Sequence, residues 1–162
     1  MAIRTIRVEG DRVLNKKARE VTAVTAKEAQ LIDDMFETMY DADGVGLAAP
    51  QIGILKQIVT IDVGDEEVGP LVLINPKITE QDGEQTGDEG CLSVPGKVGT
   101  VTRPQHIVCE AFDREMNPIR IEAEDLLARC ICHETDHLQG HLYTELAVGP
   151  LRDAYAPEET EE

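Results

Sequence analysis

The stretch HETDHLQGH, residues 133–141, carries three of the four histidines in the chain. It closes a run in which Leu126, Leu127, Cys130, Ile131 and Leu138 fall at helical spacing, which predicts a helix over about 124–139 with Gly140 as its stop. His133 and His137 are then i and i+4. Their Cβ atoms lie about 6 Å apart on one face, so both imidazoles can reach one ion. Glu134, the next residue along, turns away by roughly 100°. It can sit beside an open coordination position and handle protons without being a ligand. A helix that is apolar on one face and carries this pair on another belongs in the middle of a fold.

The other elements must wrap around it. Thr25-Ala26-Lys27-Glu28 has the form of a capping box, and Leu31, Ile32, Met35, Phe36, Met39 and Tyr40 follow at helical spacing. This predicts a first helix over about 26–41. Strand-like stretches come next, at 57–63, 71–75, 105–112 and 118–123, the last two joined by the turn-like DREMN. The order is helix, strands, helix, without a βαβα rhythm. It predicts an α+β fold, with mainly antiparallel strands packed around a C-terminal metal-binding helix and an N-terminal helix. A length of 162 residues suits one domain, taken as 1–150, with 151–162 as an acidic tail. Trp is absent and aromatics make up 3 %, so the core must be aliphatic.

Charge and apolar runs exclude several functions. The net charge is −17, yet the first 20 residues carry six basic and three acidic side chains. A body this acidic cannot assemble a broad basic face, so no direct nucleic-acid site is expected. No segment reaches the roughly 18 to 20 apolar residues of a membrane span. The first residues alternate charge with apolar side chains and lack the h-region of a signal peptide. A cytoplasmic protein with reduced thiols is the expectation.

The third ligand decides which chemistry the histidine pair serves. One peptidase pattern continues as HExxHxxGxxH; this chain follows it through Gly140 and then places Tyr143 where the last His should stand. His141 comes two residues early, past the helix end, and reads as a surface residue or a support for another side chain. Glu145 is too near to serve as the downstream carboxylate of a second peptidase type. Upstream, EGCLSVPG at 89–96 offers Cys91. A thiolate and two imidazoles give three protein ligands and leave the fourth position for water. The plain alternative for Cys91 is a small buried residue; for Cys109, Cys130 and Cys132 packing is the reading adopted. GVGLAAPQIG, 44–53, pairs Gly44 and Gly46, which permit close backbone approach, with the neutral amide of Gln51. It lacks the Lys-Ser/Thr ending of a phosphate loop. Alone, it marks a turn.

Together, Gly44-Val45-Gly46-Leu47-Ala48-Ala49-Pro50-Gln51, Glu89-Gly90-Cys91-Leu92-Ser93 and His133-Glu134-Thr135-Asp136-His137 resemble the GxGLAAxQ, EGCLS and HExDH signatures of peptide deformylases. The start of the chain, IRxIxxxGDxxL, is similar too, and the resemblance runs to about residue 146. It implies a metallo-hydrolase that removes the N-formyl group from formyl-methionine on newly made polypeptides. It implies Cys91, His133 and His137 as ligands of one divalent metal, Fe²⁺ natively, with Zn²⁺, Ni²⁺ or Co²⁺ as replacements. It implies Gln51 and the backbone N–H of Leu92 as oxyanion donors and Glu134 as the proton shuttle. The peptide would lie along Gly44–Gly46 and Gly90, with Val45 and Leu92 near the methionine side chain.

Two features depart from the family. Some members carry an arginine soon after CLSxP, where this chain has Gly96, Lys97, Val98 and Gly99. Some dock on the ribosome through a basic C-terminal helix. This chain ends in acid, so transient ribosome contact would fall to the basic N-terminal end. Two other readings stand beside the deformylase. One is a zinc peptidase. The other is a non-catalytic metal protein, which would call for a fourth protein ligand such as Cys130 or Cys132.

Overall fold

The structure, a computed structural model, describes residues 2–154. Helix α1 spans Ala26–Asp41. Thr25 caps it: its side-chain oxygen accepts from the Lys27 N–H, and the Glu28 carboxylate accepts from the Thr25 N–H at 3.0 Å. The spacing of Leu31, Ile32, Met35 and Met39 then sets one apolar face, which packs on Leu47, Ile58 and Ile74.

The strands follow in order: β1 (Gly46–Ala48), β2 (Ile58–Ile61), β3 (Leu71–Asp82), β4 (Gln85–Cys91), β5 (Val94–Arg103), β6 (His106–Phe112) and β7 (Pro118–Glu124). Helix α2 (Asp125–Leu138) and strand β8 (Val148–Asp153) complete the described chain. A five-stranded sheet runs β1-β2-β3-β6-β7, and a three-stranded sheet runs β4-β5-β8. Every pair of named strands is antiparallel. The expected α+β architecture is the one observed.

Helix α2 is the hub. Leu127, Ala128, Ile131 and Leu138 are buried with Val59, Ile61, Leu73 and Ile107 of the five-stranded sheet. The core is aliphatic as expected; among the described residues Tyr143 is the one fully buried aromatic. All four cysteines are free thiols. Gly140 ends α2 at φ +87°, and a Cβ there would stand 2.7 Å from Asn15 O, so only glycine fits this crossing. One expectation needs correction. Leu126, expected on the apolar face, is 49 % exposed. At 3.6 residues per turn it shares the side of Cys130, His133 and His137 and looks into a cleft.

Other differences lie in the strands. β3 continues past 75 to Asp82, but its second half alternates weakly and is largely exposed. The β4–β5 hairpin lies outside the expected strands, because QTGDEGC is polar and glycine-rich. β8 runs past residue 150, where the sequence reading begins the tail, and pairs with β5 through Asp153. The APEETEE stretch lies outside the described residues.

The N-terminal segment braces two turns. Arg7 N–H donates to Gln51 O at 2.7 Å and Glu9 N–H to Ser93 O at 2.8 Å. Ala18 N–H donates to Leu138 O at 2.9 Å, near the end of α2.

Candidate active site and metal centre

Cys91 ends β4, and His133 and His137 project from α2. Their ligating atoms all lie within 4.8 Å of one another. His137 Nε2 stands 3.2 Å from His133 Nε2 and 3.3 Å from Cys91 Sγ. Three lone-pair donors converging in a buried place are reconciled by one cation between them. One thiolate and two imidazoles suit Fe²⁺, Co²⁺, Ni²⁺ or Zn²⁺ and not the oxygen-seeking Mg²⁺ or Ca²⁺. The donor set therefore fits a divalent transition metal.

No fourth protein ligand joins this group among the described residues. Burial pushes the Cys130 thiol up to about 12 and the Cys132 thiol to about 11, so both stay protonated. His141 faces solvent and pairs with Glu145 at 3.0 Å. Tyr143, at the peptidase ligand position, stacks on His133 with ring centroids 6.1 Å apart. It packs and does not ligate. Three candidate ligands without a fourth match the donor count of a catalytic rather than a structural site.

A cleft of about 570 Å³ opens onto the centre. Gln51, Glu134, Leu92, Cys91, His133, Val45, Gly46 and Gly90 all line it; of the residues to which the resemblance gives a role, His137 alone is absent from the lining. Gln51 is oriented from both ends. Its Oε1 accepts from Ala48 N–H at 2.9 Å, and Nε2 donates to Ser93 Oγ at 3.0 Å and lies 3.6 Å from Cys91 Sγ. The amide thus presents N–H groups, not its oxygen, to the centre. Ser93 N–H donates to Cys91 Sγ at 3.4 Å. Glu134 is buried with Oε1 lacking a protein partner. Burial pushes its carboxyl up to about 7. Glu134 fits only because position 46 is glycine: a Cβ there would come 2.6 Å from Oε2. At Gly44 a Cβ would meet Leu92 Cδ1 at 2.6 Å.

The polypeptide deformylase family profile matches residues 3–151. A peptide deformylase of Agathobacter rectalis is 67 % identical over 153 residues, 94 % of this chain and 95 % of that protein. A peptide deformylase structure from Legionella pneumophila superposes with TM-score 0.87 at 44 % identity, covering 92 % of this chain and 88 % of that one. Another, from Synechococcus elongatus in complex with actinonin, gives TM-score 0.84 at 44 % identity over 90 % of this chain and 79 % of that one. The chain belongs to the polypeptide deformylase family. Deformylases are metal-dependent hydrolases that remove the N-formyl group from nascent polypeptides. No helix among the described residues of this deformylase is long and apolar enough to cross a membrane.

The deformylase site also rests on residues to which the sequence reading gave no role. With His133 Nε2 turned to the other donors, Nδ1 carries the proton and donates to Glu89 Oε2 at 2.5 Å. Arg103 grips the same carboxylate through Nη2 at 2.6 Å and Nε at 3.1 Å, and Arg129 donates to Oε1 at 2.7 Å. Arg103 also reaches Asp136 Oδ2 at 2.7 Å. Burial alone would raise the Glu89 carboxyl; the His133 and Arg103 donors outweigh it and hold it at about 2. One signal was present in the sequence: Arg129 interrupts the apolar run of a central helix, and a buried arginine there needs a carboxylate.

Proposed function

We propose that Cys91, His133 and His137 hold one divalent metal, Fe²⁺ natively, with Zn²⁺, Ni²⁺ or Co²⁺ able to take its place. The reaction is hydrolysis of the formyl amide of formyl-methionyl nascent peptides in the cytoplasm. The observation that carries this reading is convergence: the three ligand atoms lie within 4.8 Å of one another, beneath a cleft lined by both Gln51 and Glu134. When bound, the metal supplies Lewis-acid polarisation and a water activated near neutral pH.

The protein supplies the rest. Negative charge develops on the formyl oxygen as the carbonyl is attacked. The Gln51 amide and the Leu92 backbone N–H donate to that oxygen, and donors fixed beforehand need no reorganisation at the moment of reaction. A carboxylate at position 51 would repel the same charge. Glu134 takes the proton of the attacking water and delivers it to the departing amine. The peptide backbone runs extended along Gly44–Gly46 and Gly90. Val45, Leu92 and Leu126 flank an apolar slot suited to the flexible thioether of methionine. The catalytic domain is a single one and includes β8, which pairs with β5 through Asp153. Any transient ribosome contact uses the basic N-terminal end.

The test is formate release from a short formyl-methionyl peptide, with protein purified without oxygen and loaded with Fe²⁺ or Ni²⁺. Release abolished by a chelator is the expected result. Folded, metal-loaded protein that releases no formate overturns the reading.

A further inference from the structure

Arg129 lies on α2 one turn before His133, and its side chain is only 9 % exposed. A buried guanidinium needs acceptors. It has three: Nη1 donates to Glu89 Oε1 at 2.7 Å, and Nη2 donates to Val101 O at 3.1 Å and to Gln85 O at 3.4 Å. All three acceptors lie on the β4–β5 hairpin.

The position of those acceptors matters because the metal ligands come from two elements. Cys91 arrives from β4; His133 and His137 arrive from α2. The size of the ligand triangle therefore depends on how the hairpin sits on the helix. Arg103 grips Glu89 as well, but Arg103 is itself on β5. Its own reach to α2 is through Asp136, whose side chain is 35 % exposed. Arg129 is the buried link that starts on the helix and ends on both strands of the hairpin.

We propose that Arg129 is a positioning residue: by holding Glu89, Gln85 and Val101 from α2, it fixes the separation of Cys91 from the two histidines. The proposal rests on the metal-centre reading above. Arg129 and His133, from the same helix, hold opposite oxygens of one carboxylate. They thereby set the plane of the Glu89 carboxylate relative to the His133 ring. Without Arg129, His133 is the one remaining residue of α2 that holds that carboxylate directly.

The experiment is a Co²⁺ titration of the full chain, comparing the parent with Arg129→Met and Arg129→Lys. Absorption spectra and the Tm of each metal-free protein are recorded beside it. Methionine keeps an unbranched apolar stem against the cleft and removes the guanidinium. The Arg129→Met variant is expected to bind Co²⁺ about 10–100-fold more weakly, as for other residues that orient metal ligands from behind. Its thiolate-to-cobalt charge-transfer band should change, since the cysteine is the ligand that shifts against the histidines. Lysine keeps a cation on Glu89 but lacks the planar fork that spans three acceptors. It should recover Tm more fully than it recovers Co²⁺ affinity.

A merely structural role would lower the Tm and leave the affinity and spectrum of the folded variant equal to the parent; that result overturns the proposal. If Arg129→Met does not fold, Arg129→Lys is judged on the same two readouts. A parent that binds no Co²⁺ removes the metal centre and this proposal together. A binding parent beside unchanged variants removes this proposal alone.

Discussion

Gly46 and Glu134 form a pair in which each explains the other. The carboxylate occupies the space that a Cβ would take, with the built distance to Oε2 only 2.6 Å. Gly46→Ala should displace Glu134 without touching a metal ligand. A misplacement of about 1 Å lowers rate on the order of 10²-fold, so kcat falls by that order while bound metal stays at parent level. Metal analysis beside steady-state kinetics checks it, and an alanine variant with parent kcat would refute the packing argument. Glu134→Ala should likewise keep its metal and lose turnover by about 10²–10⁴-fold. Normal turnover in that variant would mean another group moves the proton. His133, His137 and Glu134 were legible as candidates because residue type and spacing on one helix point to their chemistry, whereas Cys91, on β4, was reached through its EGCLS motif. Glu89, Arg103 and Arg129 were not legible in that way. A charged residue takes its role from what faces it across space, and these three sit on three different elements.

At the scale of elements, legibility followed periodicity. The capping box and the 3.6-residue spacing fixed α1 and α2 to within a residue or so. The β4–β5 hairpin escaped because the inward positions of β4 are Gln85, Gly87 and Glu89, so its alternating burial is not written in apolar side chains. Helix α2 carries the heaviest demand, since its two sides serve the core and the metal. Ile131 is fully buried on the core side. Ile131→Ala should lower unfolding stability by about 2–5 kcal/mol in chemical denaturation. A loss under about 1 kcal/mol would show that the sheet collapses onto the gap. Helix α1 is anchored at its start by Glu28, which pairs with Lys56 Nζ at 2.5 Å. The Lys56 donor first, then Thr25, hold the Glu28 carboxyl down at about 2, from an ordinary 4.5. A depressed carboxyl stabilises the fold above its unfolded value and loses that contribution as pH falls. Stability from this pair is therefore whole above about 4.5 and gone by about 2. Lys56→Met should lose less stability than the parent across that window in acid titrations followed by circular dichroism. Parallel curves would show that the pair contributes nothing.

Over the whole molecule, charge is the dominant feature. A net charge of −17 on 162 residues produces self-repulsion that favours expansion. Raising ionic strength from about 0.01 M to about 0.15 M shortens the screening length from about 30 Å to about 8 Å. Tm should therefore rise over that range in a non-coordinating salt, whereas a falling Tm would mean that ion pairs such as Arg4–Asp34 outweigh the repulsion.

The brace at the start of the chain has a consequence for synthesis. Arg7 and Glu9 leave the ribosome early, yet they dock on Gln51 and Ser93, and Ala18 docks on Leu138. Cys91 is made before either histidine. A growing or truncated chain thus holds a lone thiol with no partner ligands, and it has no centre until α2 has emerged. The three candidate ligands thus come together in one step, late in the chain's own manufacture.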